Sequence, residues 1–327
     1  MHIKTKKCPL CSGTKTVKRG TTSQGKQLYW CKGCGHRFTS AHTEKEIDGK
    51  HIWIDFVFHK QTLRELSPVY DMNKKTVYAH LNAYTVKEKK HEPRPVHLLA
   101  DALYFGMRKK DTTWCVVVFR DADSKENLWW QYTTEETESI YREGRTYLEQ
   151  RGYSILSVTG DGFGGLRSSF LPILFQMCLV HMERIVVRGT TRKPKLLQGQ
   201  VLLALTRTLF DTTEELFTQR LQHYIETYRD FLNEKATSDL TGESWFVHAD
   251  LRKAVLSLRR FLPYLFTYEK DKSIPRTTNS LEGHFSHLRD VVNIHRGASP
   301  QLKQKIIHTI LLASTIAPTD EEIRKIV

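Results

Sequence analysis

Two Cys-x2-Cys pairs, Cys8-Pro9-Leu10-Cys11 and Cys31-Lys32-Gly33-Cys34, stand 19 residues apart and dictate the first fold unit. A tight turn in each pair lets two thiolates face one metal ion, and two such turns close a tetrahedral site. The segment between the pairs is short and polar with little core of its own, so the metal supplies its folding energy. Lys6, Lys7, Lys32 and Arg37 surround the thiols and favour the thiolate form that binds metal. Disulfides and redox dithiols are the alternatives. A redox dithiol needs no second copy, and disulfides are rare in the intracellular setting that the rest of the chain suggests. The pattern predicts a zinc ribbon over residues 1–40, with Zn2+ on Cys8, Cys11, Cys31 and Cys34 and with Tyr29, Trp30 and Phe38 packing a small sheet. Whether the ribbon contacts protein or DNA stays open.

Of the remaining cysteines, Cys115 lies in the apolar run Trp114–Phe119 and reads as inert core. The chain has 327 residues, enough for two or three domains. Its 39% hydrophobic content excludes wholesale disorder. With 50 Lys+Arg against 36 Asp+Glu, the formal charge is +14, which makes a polyanion the first partner to consider and nucleic acid the commonest one. No apolar run approaches the roughly 18 residues that a membrane span needs. The positive start, Met1 to Lys7, is not followed by the apolar stretch of a secretory signal. The expectation is a soluble cytoplasmic, nucleoid-associated protein with no membrane partner.

Residues 45–60 read as a helix with Trp53, Phe56 and Val57 on one face. Leu63 and Leu66 are helix-spaced. Asp71 then suits a turn position in the left-handed conformation, and Asn73 is a good N-cap for the next helix. Val77 and Leu81 form the buried stripe of that helix, and Lys74, Lys75, Tyr78 and Asn82 point outward. A basic, hydrogen-bonding outer face suits the major groove, so residues 45–84 are expected to be a helix-turn-helix that binds double-stranded DNA through these four residues. An ordinary helical hairpin shares the pattern. Residues 85–95 carry two prolines and a charge cluster without apolar periodicity, which marks a linker.

Val96 to Phe105 is a nearly continuous apolar run, the signature of a strand buried on both faces. Residues 113–120 and 127–132 give two more strands, 134–150 a helix, 155–162 a fourth strand, 165–174 a helix and 175–180 a fifth strand. This is the order of an RNase H-like mixed sheet. Asp101 is the odd residue of the first strand, because a carboxylate in an apolar run is costly unless paired or metal-bound. Asp161, before Gly162, is ordinary turn chemistry by itself. Taken together, strand ends of an open α/β sheet point into one crevice. Residues 183–276 read as an all-helical insertion. It carries a buried stripe from Phe217 to Phe231, and its Arg252, Lys253, Arg259 and Arg260 are either a solvated face or a DNA track. In the following helix, Leu281, Phe285, Leu288 and Val292 form the buried stripe, and Asn279, Glu282, Ser286 and Arg289 share a polar face. Locally, Glu282 is explained as the capping-box glutamate of an Asn279 N-cap.

Asp101, Gly160-Asp161-Gly162, the Cys178-x2-His181 stretch and Thr277-Thr278-Asn279-Ser280-Leu281-Glu282 together resemble the DDE transposases of the Mutator-like class carried by bacterial insertion sequences. The resemblance covers about residues 96–297, and Gly283 departs from it, because a larger polar residue is expected there. It implies an RNase H-like core split into residues 96–182 and 277–327 around the 183–276 insertion. It also implies Asp101, Asp161 and Glu282 as catalytic ligands of Mg2+ or Mn2+, and Cys178, His181, Asn279 and Arg289 as supports of the site. The implied activity is metal-dependent cleavage at the element's ends and transfer of the freed 3′ ends to target DNA, by a homo-oligomer on paired ends. A zinc-ribbon and helix-turn-helix regulator without nuclease activity, or a catalytically silent remnant, is the rival expectation.

Overall fold

The computed structural model describes residues 6–23, 25–39, 48–106 and 113–327. The chain divides into two units, Met1–His51 and Ile52–Val327.

The first unit is a three-stranded antiparallel sheet of β1 (Thr16–Thr21), β2 (Gln27–Cys31) and β3 (Arg37–Thr39). Tyr29 stacks on Phe38 at 5.7 Å between ring centroids, as adjacent cross-strand partners do. Cys8 and Cys31 are buried, and Cys11 and Cys34 are exposed.

Helix α1 (Gly49–Val57) buries Trp53, Phe56 and Val57, and ends three residues earlier than expected. The expected start of this helix, at residue 45, lies outside the described residues. In α2 (Leu63–Val69) and α3 (Lys74–Ala83), Leu66, Val77 and Leu81 face inward. Asp71 takes the left-handed conformation at φ 52°, and the Asn73 side chain accepts from the Thr76 N–H at 2.9 Å. These helices lean on the C-terminal end of the chain. The Trp53 indole donates to Thr309 Oγ1 at 3.2 Å, and Phe56 lies 3.9 Å from His295 between ring centroids. Residues 85–94 contain no helix or strand, yet side chains tie them down: Arg94 pairs with Asp121 and Glu126.

The central layer is a five-stranded sheet built from β4 (Pro95–Phe105), β5 (Trp114–Asp121), β6 (Asn127–Thr133), β7 (Ser154–Gly160) and β8 (Leu174–Met177). Its order is β6-β5-β4-β7-β8. The pairs β6/β5 and β5/β4 are antiparallel, and β4/β7 and β7/β8 are parallel. This is an RNase H-like mixed sheet. Its central strand is mostly apolar, and Val96, Leu98, Leu99, Ala100 and Leu103 are all buried between the layers on its two faces. Helix α4 (Glu138–Gln150) crosses from β6 to β7, and α5 (Gly164–Ser169) joins β7 to β8. Both helices are shorter than expected.

The fifth strand is also shorter. It stops at Met177, and Cys178 is already the N-cap of α6 (Leu179–Thr190). The Cys178 N–H makes the last bond of the β7/β8 ladder, to the Gly160 carbonyl, and the Leu179 N–H turns instead to the Arg276 carbonyl as α6 begins. Beyond it come α7 (Leu197–Arg207), α8 (Glu214–Thr227) and α9 (Arg229–Asn233), a hairpin of β9 (Lys235–Thr237) and β10 (Ser244–Phe246), and α10 (Ala249–Leu265). The hairpin corrects the expectation of an all-helical insertion. It forms three-residue strands, too short to show a period-2 pattern in the sequence. Arg252, partly exposed, lies over the Phe246 ring at 4.2 Å and donates to Asn233 Oδ1 at 2.5 Å. The chain closes with α11 (Asn279–Ile294), α12 (Pro300–Ala313) and α13 (Asp320–Ile326).

Candidate functional site

Strands β4 and β7 run parallel with Leu99 opposite Thr159. Asp101 lies two residues beyond Leu99 on β4, and Asp161 two beyond Thr159, just past the end of β7. The glycines around Asp161 have separate reasons. A Cβ on Gly160 would come 2.2 Å from Leu166 Cδ2, so glycine lets α5 pack against the strand end. Gly162 adopts φ +89°, a conformation that costs a side-chain residue energy. Between them, Asp161 Oδ1 accepts from the Phe163 N–H at 2.9 Å and fixes the turn.

Asp101 is largely buried, and burial pushes its carboxyl up to about 7, with the Asp161 charge adding to the effect and the His181 charge opposing it. A third acid joins them. Glu136 sits in the turn before α4, accepts from Tyr141 Oη at 2.6 Å and from Tyr104 Oη at 3.1 Å, and is raised by burial and by Asp161. It stands among charged neighbours on a turn without periodicity, so no sequence signal marks it.

Glu282 arrives from the first turn of α11. The capping box expected there is absent. Thr278, not Asn279, is the N-cap, and the Glu282 carboxylate instead takes both arms of Arg184, at 2.9 and 2.6 Å. Its Oε1 also lies 3.8 Å from His181 Nε2. Arg184 follows His181 by three residues and Cys178 by six, so α6 presents all three on one side. That spacing is the signal that could have found Arg184.

The Cys-x2-His and Thr-Thr-Asn-x-x-Glu stretches meet at Thr278. Its N–H and its hydroxyl each lie 3.4 Å from Cys178 Sγ, and the hydroxyl lies 3.5 Å from His181 Nδ1. Burial works against both ionised forms, but the contact between the thiol and the imidazole wins. Cys178 is lowered and His181 raised, with Asp101 and Asp161 adding to the latter. Ligand atoms of Cys178, His181 and Glu282 lie within 4.8 Å of one another. His181, a member of that group, also feels the charges of Asp101 and Asp161. Asn279 faces a separate cleft, and Arg289 is exposed with no hydrogen bond or ion pair among the described residues.

The four N-terminal thiols also converge. Cys8 and Cys34 are 3.6 Å apart, as are Cys11 and Cys31. That is too long for a disulfide and close to the ~3.8 Å edge of a tetrahedron with Zn–S near 2.3 Å. The Cys34 N–H helps lower the Cys31 thiol to about 7. The donor set fits a thiophilic tetrahedral metal.

Of the expected DNA-reading residues, Lys74, Lys75 and Asn82 are exposed. Tyr78 differs, because its hydroxyl engages Ser299, the N-cap of α12, and that contact lowers its pKa. No helix among the described residues is long and apolar enough to cross a membrane.

No family model and no curated protein sequence matches the chain. Among solved structures, the chain is similar to the Drosophila P element transposase strand transfer complex, with TM-score 0.41, 11% identity, and coverage of 86% of this chain and 94% of that one. It is also similar to a simian T-cell lymphotropic virus intasome in complex with the PP2A regulatory subunit B56 gamma, with TM-score 0.22, 8% identity, and coverage of 63% and 72%. These likenesses are too distant to carry an argument about chemistry. The RNase H-like class rests on the strand order itself.

Proposed function

We propose that the chain is a transposase of the DDE type, close to the Mutator-like class, which cuts DNA and transfers strands at a centre formed by Asp101, Asp161 and Glu282. The observation that carries this reading is a pair of carboxylates on neighbouring parallel strands, Asp101 within β4 and Asp161 just past the end of β7, the first driven toward its acid form by burial and by the second. Such a pair costs folding energy unless a cation offsets it. Carboxylate oxygens suit Mg2+ or Mn2+ rather than zinc. When bound, such ions would supply an activated oxygen nucleophile and stabilise the leaving oxygen of a phosphodiester.

Within that centre the residues divide the work. Asp101 and Asp161 form the fixed part, because the sheet and the Phe163 N–H hold them. Glu282 is the movable part: Arg184 holds it, and turning from Arg184 to a cation would free the guanidinium for a DNA phosphate. Cys178 and His181 act through Thr278, fixing the start of the helix that delivers Glu282. Zn2+ on Cys8, Cys11, Cys31 and Cys34 would hold residues 1–40 as a ribbon. Residues 45–84 would form the helix-turn-helix, with Lys74, Lys75 and Asn82 toward duplex DNA. The 183–276 segment would interrupt the core between 96–182 and 277–327. Element ends and target DNA are the partners of this reading, with a homo-oligomer bridging the ends.

The test compares wild type with Asp161→Asn for duplex binding and for nicking in Mg2+ or Mn2+. Retained binding with lost nicking supports the assignment, and an Asp161→Asn protein that cuts DNA at the wild-type rate overturns it.

A further inference from the structure

A second cleft, of about 510 Å³, opens along another face of α11. Arg120, Ser280 and His284 belong to its wall, and each carries a buried hydrogen-bonding atom that has no partner among the described residues: Arg120 Nε, Ser280 Oγ and His284 Nδ1. Arg120 and His284 are 4% and 1% exposed. Arg120 is a buried guanidinium with no carboxylate within ion-pair reach among the described residues. Its other two nitrogens donate only to neutral oxygens, Asn127 Oδ1 at 2.9 Å and the Ser314 carbonyl at 3.1 Å.

The protonation of His284 follows from its neighbour. Asn127 Nδ2, which can only donate, lies 3.2 Å from His284 Nε2. Nε2 therefore accepts, and the proton of the neutral ring sits on Nδ1. Burial, reinforced by the Arg120 charge, pushes the imidazolium down to about 3, so the ring is neutral at ordinary pH. Arg120 Nε–H and His284 Nδ1–H are thus both donors without acceptors, and Ser280 lies one turn before His284 on the same helix. A buried donor left unanswered is destabilising, and a buried unpaired charge more so.

The other charged residues of the wall are Lys125, Glu126 and Glu322. Lys125 is exposed and makes no ion pair among the described residues. The two acids on the rim are already engaged, Glu126 by Lys89 and Arg94, and Glu322 in the capping box of Thr319. Asn279 and Ser280, in the first turn of α11, also line this cleft. Gly283, the departure from the transposase pattern, leaves this side open: a Cβ there would meet nothing within 4 Å.

We propose that this cleft is a binding site for a phosphate-type oxyanion, held by Arg120, His284 and Ser280 with Lys125 at its mouth. The inference does not depend on the strand-transfer reading and uses none of its residues. Inorganic phosphate and a DNA backbone phosphodiester offer the same acceptor chemistry.

The test is thermal unfolding of the full chain with inorganic phosphate, against sodium chloride at equal ionic strength. Wild type is compared with Arg120→Met, which keeps the apolar stem, and with Lys125→Glu, whose exposed position spares the fold. The expected result is a saturable phosphate-specific rise in Tm. Arg120→Met weakens the apparent affinity at least tenfold, and Lys125→Glu weakens it several-fold. The proposal is overturned if phosphate does no more than chloride, or if Lys125→Glu and a folded Arg120→Met respond like wild type. Where phosphate binds, a short DNA duplex distinguishes the sources. Displacement of phosphate by the duplex supports a backbone phosphodiester as occupant, and undiminished phosphate binding on saturated DNA supports a free anion.

Discussion

Replacing Asp101 by Asn is expected to stabilise the metal-free protein while removing its response to divalent ions. Burial and Asp161 raise the Asp101 carboxyl from its ordinary 3.8 to about 7. The folded state therefore holds a proton that the unfolded chain releases, and stability is highest below about pH 4 and has been lost once pH passes about 7. At 1.36 kcal/mol per pH unit, the ionised carboxylate costs about 4 kcal/mol at pH 8 and under about 1 kcal/mol near pH 4. The figure at pH 8 is an upper bound, because local relaxation reduces it. The unit Ile52–Val327 contains 327 − 51 = 276 residues. At roughly 2.1 cal/mol/K per residue, its unfolding entropy converts 4 kcal/mol into about 7 °C. Calorimetry of wild type and Asp101→Asn in EDTA should show the variant melting several degrees higher at pH 8, with the gap closing toward pH 4. Adding Mg2+ or Mn2+ should raise the wild-type Tm and leave the variant unmoved. A variant less stable than wild type at pH 8, or equally responsive to metal, would refute the reasoning.

Other consequences follow from the same geometry. Arg184→Ala frees Glu282 from its bidentate partner, so Mn2+ titrated into the protein and followed by electron paramagnetic resonance should bind several-fold tighter; weaker binding would mean that Arg184 does not compete for Glu282. Elemental analysis should find one zinc per chain, and Cys31→Ser should lose it; a zinc content unchanged by this substitution would remove the four-thiol site. Gly160→Ala should destabilise by roughly 1–3 kcal/mol, because its methyl group meets Leu166 at 2.2 Å, and Leu166→Ala in the same chain should return part of that loss. Lys74→Glu with Lys75→Glu should weaken duplex binding at least tenfold and flatten its salt dependence, a result read by fluorescence anisotropy across a salt series.

Much of the fold was legible because its signals are long or chemically singular. The 11-residue β4 is mostly apolar and buried from Val96 to Ala100, and few alternatives bury such a run. Asp71 and Asn73 act locally, and a local rule was enough to place both. Cysteine spacing likewise forecast the convergence of four thiols. What escaped depends on contacts distant in sequence. Arg184 and Glu282 are 98 residues apart, and nothing local announces a bidentate pair over that span. The same contact removed the capping-box explanation of Glu282, which was sound on its own terms. Tyr78 was expected to face outward, but its hydroxyl serves Ser299, more than 200 residues away. Glu136 becomes notable only once β4 and β7 bring Asp101 and Asp161 beside it. Boundaries erred where a helix starts directly at a strand end, as at Cys178, the N-cap of α6.

The central claim is that Glu282 completes, with Asp101 and Asp161, a centre for cutting DNA. It is tested most directly by strand cleavage of a labelled duplex carrying the DNA that flanks the gene, in Mg2+ or Mn2+, for wild type and Glu282→Gln. The account predicts metal-dependent nicking at the element ends by wild type and none by Glu282→Gln, with equal duplex binding by both. Tight, salt-sensitive binding by both proteins with no nicking in either metal would contradict it, and would leave a DNA-binding protein in which Glu282 serves only to anchor Arg184.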